Sequence, residues 1–276
     1  MRRTNLAFVG ILLGCVGSGA LAPQEVVSEV FAAVEAGDRA QIEELVRDDY
    51  EQHSALAEDG REGLLSIVDL LQSLSVTPHR VFVDGNLVAL HQTYEFPDGR
   101  RQVAFDVFRV EDGQLAEHWD ALQDEVTETV SGRSMVDGPT APAADAPTDA
   151  NRALVEEFVR VILTEGQFDR LTEFVSEEMY LQHNPAVGDG LEGLGAFVAG
   201  LQEAGIAFGY RRSPLVVAEG DFVLVGSEGF FGPADDPPFA IFYDLFRVEN
   251  GRIVEHWDVI PASPNPDTLP HDNGFF

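Results

Sequence analysis

The chain has no lysine: all 17 basic residues are arginine, set against 48 Asp and Glu for a formal charge of -31. Such a surface repels phosphate backbones and anionic bilayers, which argues against nucleic acid or an anionic membrane surface as partner. Cysteine occurs once, so no internal disulfide can form. A phosphate-cradling glycine loop, a Gly-x-Ser-x-Gly elbow and a short metal-ligand spacing are all missing, which removes the usual signatures of nucleotide, serine-hydrolase and metal chemistry. Leu6 to Leu13 is the apolar run of the N-terminal segment, and it is too short to span a bilayer.

That run follows Met1-Arg2-Arg3, and residues 1–22 read as a signal peptide. Leu12-Leu13-Gly14-Cys15 resembles a bacterial lipoprotein processing box, with Cys15 as the lipidated residue and the only means of membrane attachment. The competing reading is ordinary cleavage near Ser18-Gly19-Ala20. Either way the expectation is export, to the periplasm, to a membrane-anchored lipoprotein or to the medium.

What is present is repetition. Tyr50-Glu51-Gln52-His53 recurs as Tyr180-Leu181-Gln182-His183, 130 residues on, and Glu117-His118-Trp119-Asp120 recurs as Glu255-His256-Trp257-Asp258, 138 residues on. A period that long means two domains of one fold. The expected partition is a first domain over 23–125, a Pro-, Ala- and Asp-rich surface linker over 126–148, a second domain over 149–260 and a tail over 261–276.

In each copy helical spacing comes first. Val26, Val27, Val30, Phe31 and Val34 lie on one helical face, a second helix follows an Asp38 cap, and a third runs from Glu62 to Leu74. Four strands then start near His79, Asn86, Arg101 and Gln114, separated by Asp84-Gly85, Pro97-Asp98-Gly99 and Asp112-Gly113 turns. Helices first and a bent antiparallel sheet afterwards give an α+β class: two tandem cone-shaped domains, each with three helices wrapped by the sheet. The last hairpin is apolar on both sides, so the two copies are expected to pack sheet against sheet as an internal pseudo-dimer in a monomeric chain.

The last hairpin of each copy carries the chemistry. A three-residue loop ending at Gly113 sets Asp106 opposite His118, and in the second copy Asp244 opposite His256. A two-residue turn puts Trp119 opposite Asp106 instead. The first register is favoured.

These residues resemble the SnoaL-like polyketide cyclase family, within the nuclear-transport-factor-2-like superfamily. The resemblance rests on Tyr-Leu-Gln-His-Asn-Pro followed by Gly-Asp-Gly-Leu-Glu-Gly, and on Asp-x-Phe-Arg-Val-Glu-x-Gly-x-x-x-Glu-His-Trp-Asp. It implies a pocket inside each cone and cofactor-free ring closures or isomerisations.

Proton abstraction beside a carbonyl needs a base, an enolate stabiliser and a dry pocket. Asp106 and Asp244 are the expected bases, with His118 and His256 orienting them or returning the proton. Tyr50, His53, His91, Trp119, Tyr180, His183, Asn184 and Trp257 are expected to contact the ligand, a small apolar carbonyl compound. Each of these also has a structural reading, as a satisfied carboxylate, a core histidine or a packing aromatic. His53, His91, Asp106 and His118 could converge on a metal, but adjacent strand positions face opposite ways, so none is expected. Ser54 replaces Asn184 and His91 aligns with Gly226, so the two pockets differ, and the second is favoured as the ligand site. The alternative function is an exported protein that binds an apolar ligand without converting it.

Overall fold

The structure, a computed structural model, describes residues 21–276. Cys15 and the expected signal segment lie outside the described residues, apart from Leu21 and Ala22. Among the described residues no helix is long and apolar enough to cross a membrane. The chain divides into two compact units: one runs to Asp120 and includes Pro266–Phe275, and the other runs over Ala121–Asn265 with Phe276.

The first unit opens with α1 (Pro23–Ala36) and α2 (Arg39–Leu45). Pro23 occupies the first helical turn, the Glu25 carboxylate accepts the Ala22 N–H at 2.8 Å, and Gly37 ends α1 at φ 67°. Strand β1 (Val46–Gln52) follows, then α3 (Gly60–Ser66), α4 (Val68–Gln72) and β2 (Ser75–Asp84), β3 (Leu87–Glu95), β4 (Arg101–Glu111) and β5 (Gln114–Asp124). The expected single third helix is thus broken at Ile67, whose φ of -103° and ψ of 4° leave the helical region.

The sheet order is β1-β5-β4-β3-β2, and β1 runs parallel to β5. The expected four-stranded antiparallel sheet is therefore a five-stranded mixed one. Its extra strand ends in the Tyr50-Glu51-Gln52 segment, which was not among the four strands expected. A parallel partner 66 residues away in the chain leaves no turn signal to find, because Gln52 pairs with His118 only through tertiary structure.

The second unit repeats the plan with α5 (Thr148–Phe158) continuing into a π-helical turn (Val159–Thr164), a 3₁₀ turn (Phe168–Glu173), β6 (Leu181–Gln182) and α6 (Gly190–Glu203). Strands β7 (Ile206–Glu219), β8 (Phe222–Pro233), β9 (Phe239–Glu249) and β10 (Arg252–Val259) complete it, in the order β6-β10-β9-β8-β7. In both units the helices bury one sheet face. Val26, Val30, Ile42 and Val68 pack with Leu90 and Phe108 in the first, and Val155, Phe158 and Ile162 with Val225 and Phe246 in the second.

The segment expected as a surface linker is built into the second unit. Met135 is buried, the Val130 N–H donates to Pro185 O at 2.9 Å, and the Trp257 indole N–H donates to Asp137 O at 2.9 Å. The expected tail is likewise built into the first unit: Asn273 donates to Gln52 O at 3.0 Å and to Asp59 Oδ1 at 2.7 Å, and Phe275 is buried.

The last hairpin departs from the favoured register. Asn250 and Gly251 both have positive φ, 52° and 70°, as a two-residue turn of the primed kind demands, and Glu249 pairs with Arg252. Asp112 and Gly113 adopt the same signs at 50° and 81°. A bulge between Ile253 and Glu255 then moves the ladder one further step, so Asp244 faces Asp258, and His256 faces Phe246. The two-residue turn weighed as the alternative therefore occurs, but beyond the bulge neither sequence register gives the partner of Asp244.

Candidate functional site

The register differs, yet the acid and the imidazole still meet. Asp244, His256 and Asp258 share one face, because the aspartates are directly opposed and His256 is two residues from Asp258. His256 therefore reaches Asp244 diagonally, with Nε2 3.0 Å from Oδ1, and His118 reaches Asp106 at 3.1 Å. That face is the one covered by helices, where Phe246 stacks on His256 at 4.8 Å and Phe108 on His118 at 4.5 Å.

The other ring nitrogen meets a group not foreseen as a site residue. His256 Nδ1 lies 3.0 Å from Gln182 Oε1, and His118 Nδ1 lies 2.9 Å from Gln52 Oε1. The parallel pairing of β6 with β10 and of β1 with β5 sets each glutamine beside its histidine. Aspartates brace the glutamine strands: the backbone N–H of Gln182 donates to Asp189 at 2.8 Å and that of Gln52 to Asp59 at 2.9 Å. The repeated Tyr-x-Gln-His segment held this signal in its Gln.

Backbone geometry fixes which end of the amide faces the ring. The Asn184 N–H donates to Gln182 Oε1 at 2.9 Å, so the atom presented to His256 is an acceptor. Both nitrogens of His256 thus face acceptors, which is the pattern of an imidazolium. Burial pushes its pKa down, but the Asp244 hydrogen bond and the charges of Asp258 and Asp244 outweigh that and leave it raised. A ring so engaged has no lone pair to accept a substrate proton or to bind an ion. The expected role of orienting the carboxylate fits it.

Asp106 and Asp244 are also committed. Asp106, 3% exposed, receives His118, Gln92 Nε2 at 2.7 Å and the Tyr94 hydroxyl at 3.2 Å. Asp244 receives His256 and the Tyr210 hydroxyl at 2.8 Å. Tyr94 and Tyr210 were not foreseen, since they do not recur at equivalent positions.

The uncommitted carboxylate is Asp258. Asn184 Nδ2 donates to its Oδ2 at 2.6 Å, while Oδ1 is buried with no hydrogen-bond partner. Burial pushes its pKa up to about 6, with Asp244 adding to the effect and His256 opposing it. Asp120 is the equivalent, held by the Ser54 hydroxyl at 2.7 Å and also raised to about 6, chiefly by burial. These two, which were not among the expected site residues, are better placed to exchange a proton than Asp106 or Asp244.

Several expected contact residues lie elsewhere. Trp119, His53, Trp257 and His183 belong to the opposite sheet face, where His53 stacks on Trp119 at 5.3 Å and His183 on Trp257 at 4.6 Å. There His53 meets Glu117 at 2.9 Å and Gly274 O at 3.1 Å, and His183 meets Glu255 at 2.9 Å and Ser134 O at 2.7 Å. His91 also lies on that face, opposite Phe105 and stacked on it at 4.3 Å, with Arg80 2.9 Å from its Nδ1. Alternation along the strands separates all five from the Asp–His pairs. Tyr50 and Tyr180 are buried in the helix-covered cores, and Asn184 alone of the expected contact residues touches the acid.

Among the described residues, three groups hold ligand atoms within 4.8 Å of one another: Asp244, His256 and Asp258; Asp106, His118 and Asp120; and Glu51, His53 and Glu117. In the first, both imidazole nitrogens are already engaged, and the second has the same partners around its ring.

Residues 27–118 and 155–256 match the family model described as the SnoaL-like domain. No curated protein matches the chain. Solved structures similar to it include TsrD from Streptomyces laurentii, 25% identical over 36% of this chain and 87% of that one, with a TM-score of 0.31. IdmH from Streptomyces antibioticus, described as a candidate polyketide cyclase, is 24% identical over 37% of this chain and 93% of its own, with a TM-score of 0.33. A candidate ketosteroid isomerase from Kribbella flavida is 19% identical over 44% of this chain and 90% of its own, with a TM-score of 0.35. Because the family model matches once in each unit and covers well over half of the sequence, the chain belongs to the SnoaL-like domain family.

Proposed function

We propose that the protein is a cofactor-independent cyclase or isomerase that moves a proton beside the carbonyl of a small apolar compound. The observation that carries this is Asp258: a buried carboxylate with a pKa near 6, one oxygen held by Asn184 and the other without a protein partner. A general base works best when its pKa lies near the working pH and it is poised to accept one specific proton. Asp258 Oδ1 takes the substrate proton, the Asp244–His256 pair fixes the strand opposite, and Phe246 contributes an apolar wall. Asp120 plays the same part in the first unit. SnoaL-like membership supports the reaction class.

The test is deuterium exchange. Apolar 1,3-dicarbonyl compounds incubated with the protein in heavy water should exchange their α-hydrogens faster than in buffer alone, and the excess should rise with pH through about 6 as Asp258 ionises. Compounds that bind without exchanging would replace this reading with that of a carrier for apolar ligands.

Export is proposed on sequence grounds. Metabolic labelling with a fatty-acid analogue should mark the protein through Cys15, and Cys15→Ser should abolish the label. An unlabelled wild-type chain would remove lipidation.

A further inference from the structure

Tyr94 and Tyr210 come from different strands and end at the same chemical place. Asp106 faces Leu90 across β4 and β3, and Asp244 faces Val225 across β9 and β8. Four residues further along, Tyr94 therefore corresponds to Gly229. Across the next ladder Tyr94 faces Val76, whereas Gly229 faces Tyr210. The tyrosine has changed sides of that residue pair between the two copies.

Both phenols are buried, and both reach the carboxylate: Tyr94 lies 3.2 and 3.3 Å from the Asp106 oxygens, and Tyr210 lies 2.8 Å from Asp244 Oδ2. Burial and the neighbouring aspartate charge hold each phenol's pKa well above its ordinary value, so it stays an O–H donor. In the second unit the alternative position is closed, because a Cβ at Gly229 would sit 2.1 Å from Gly209 O. Packing alone does not require the hydroxyl, since phenylalanine would fill nearly the same volume against Phe242, on which Tyr210 stacks at 4.3 Å. The other amide donor is not kept: Gln92 corresponds to Ser227, which bonds Ser213 at 2.8 Å.

We infer that Tyr94 and Tyr210 are equivalent positioning residues, one per unit, each holding the aspartate that fixes the adjoining histidine and so the geometry around Asp120 or Asp258. This rests on the proton-transfer reading only for what the geometry serves. The titratable groups around Asp106 are His118, Asp120, Tyr94 and Tyr50, and around Asp244 they are His256, Asp258, Tyr210 and Tyr180.

The experiment replaces one hydroxyl at a time in the full chain and follows the imidazole nitrogens by NMR as pH is varied. Tyr210→Phe deprives Asp244 of a donor, so the Asp244–His256 pair should hold its protons to a pH roughly one unit higher, with His118 unchanged. Tyr94→Phe should move His118 in the same sense and leave His256 in place. If both folded variants titrate as the wild type does, the positioning role is overturned, whatever the deuterium-exchange rates show. Shifted histidines in a protein that exchanges no α-hydrogen would support the positioning role while removing proton transfer as its purpose.

Discussion

Replacing Asp120 and Asp258 together with Asn should lower turnover by about 10² to 10⁴-fold, the usual worth of a positioned proton-transfer group. Of the single variants, Asp258→Asn should cost more, because Asp258 is the more deeply buried and one of its oxygens has no hydrogen-bond partner. Stability should move the other way. An aspartate whose folded pKa is about 6 against an ordinary 3.8 binds its proton more tightly in the native state. Its ionisation therefore removes stability as pH rises from about 4 to 6, and the loss persists above that. The amide has no charge to desolvate, so Asp258→Asn should gain about 1–3 kcal/mol at pH 7 and show a shallower decline between those pH values. Urea denaturation at several pH values, run beside the deuterium-exchange assay, checks both halves. A folded double variant with wild-type turnover would move the base elsewhere.

The largest loss of stability is expected from Arg247→Met. Glu255 is 1% exposed and is held by Arg247 Nε at 2.8 Å and by His183 at 2.9 Å. Burial raises its pKa, but the hydrogen bonds from His183 and Arg247 outweigh that and leave it lowered. Its contribution to stability is therefore present above the ordinary pKa of 4.5 and is lost as pH falls through the lower folded value. Removing the guanidinium leaves a buried carboxylate with one partner, which costs about 3–5 kcal/mol in comparable cases. The first unit supplies the control. Glu117 has the same partners, Arg109 and His53, but its side chain is 13% exposed, so Arg109→Met should cost less at the same pH. Equal losses in the two variants would show that burial of the acid is not what sets the effect.

Much of this molecule was legible before any coordinates. The duplication, the order of helices then strands, and the gathering of Asp106 with His118 and of Asp244 with His256 follow from local signals: apolar periodicity, Asn-Gly and Asp-Gly turns, and strand alternation. Alternation also explains why the Asp–His contact survives a wrong register. A shift of two residues keeps every side chain on its face, so Asp244 lost His256 as its direct partner and kept it as its diagonal one.

The rest depended on a bulge that the turn residues do not announce and on pairings between distant segments. The bulge at Val254 sets Asp258 against Asp244. The parallel strands bring Gln52 and Gln182 to the histidines from 66 and 74 residues away. Once those neighbours were in place, the amide oxygen and the carboxylate left His256 no role as a base and left Asp258 the oxygen without a partner. His53, His91 and His183 carry the same imidazole on paper, but the pleat turns them, with both tryptophans, to the opposite face. Composition and repetition determined which groups this protein owns; only the ladder between strands decided which of them share a face and touch, because a side chain's partner is set by register and register is a property of the whole sheet.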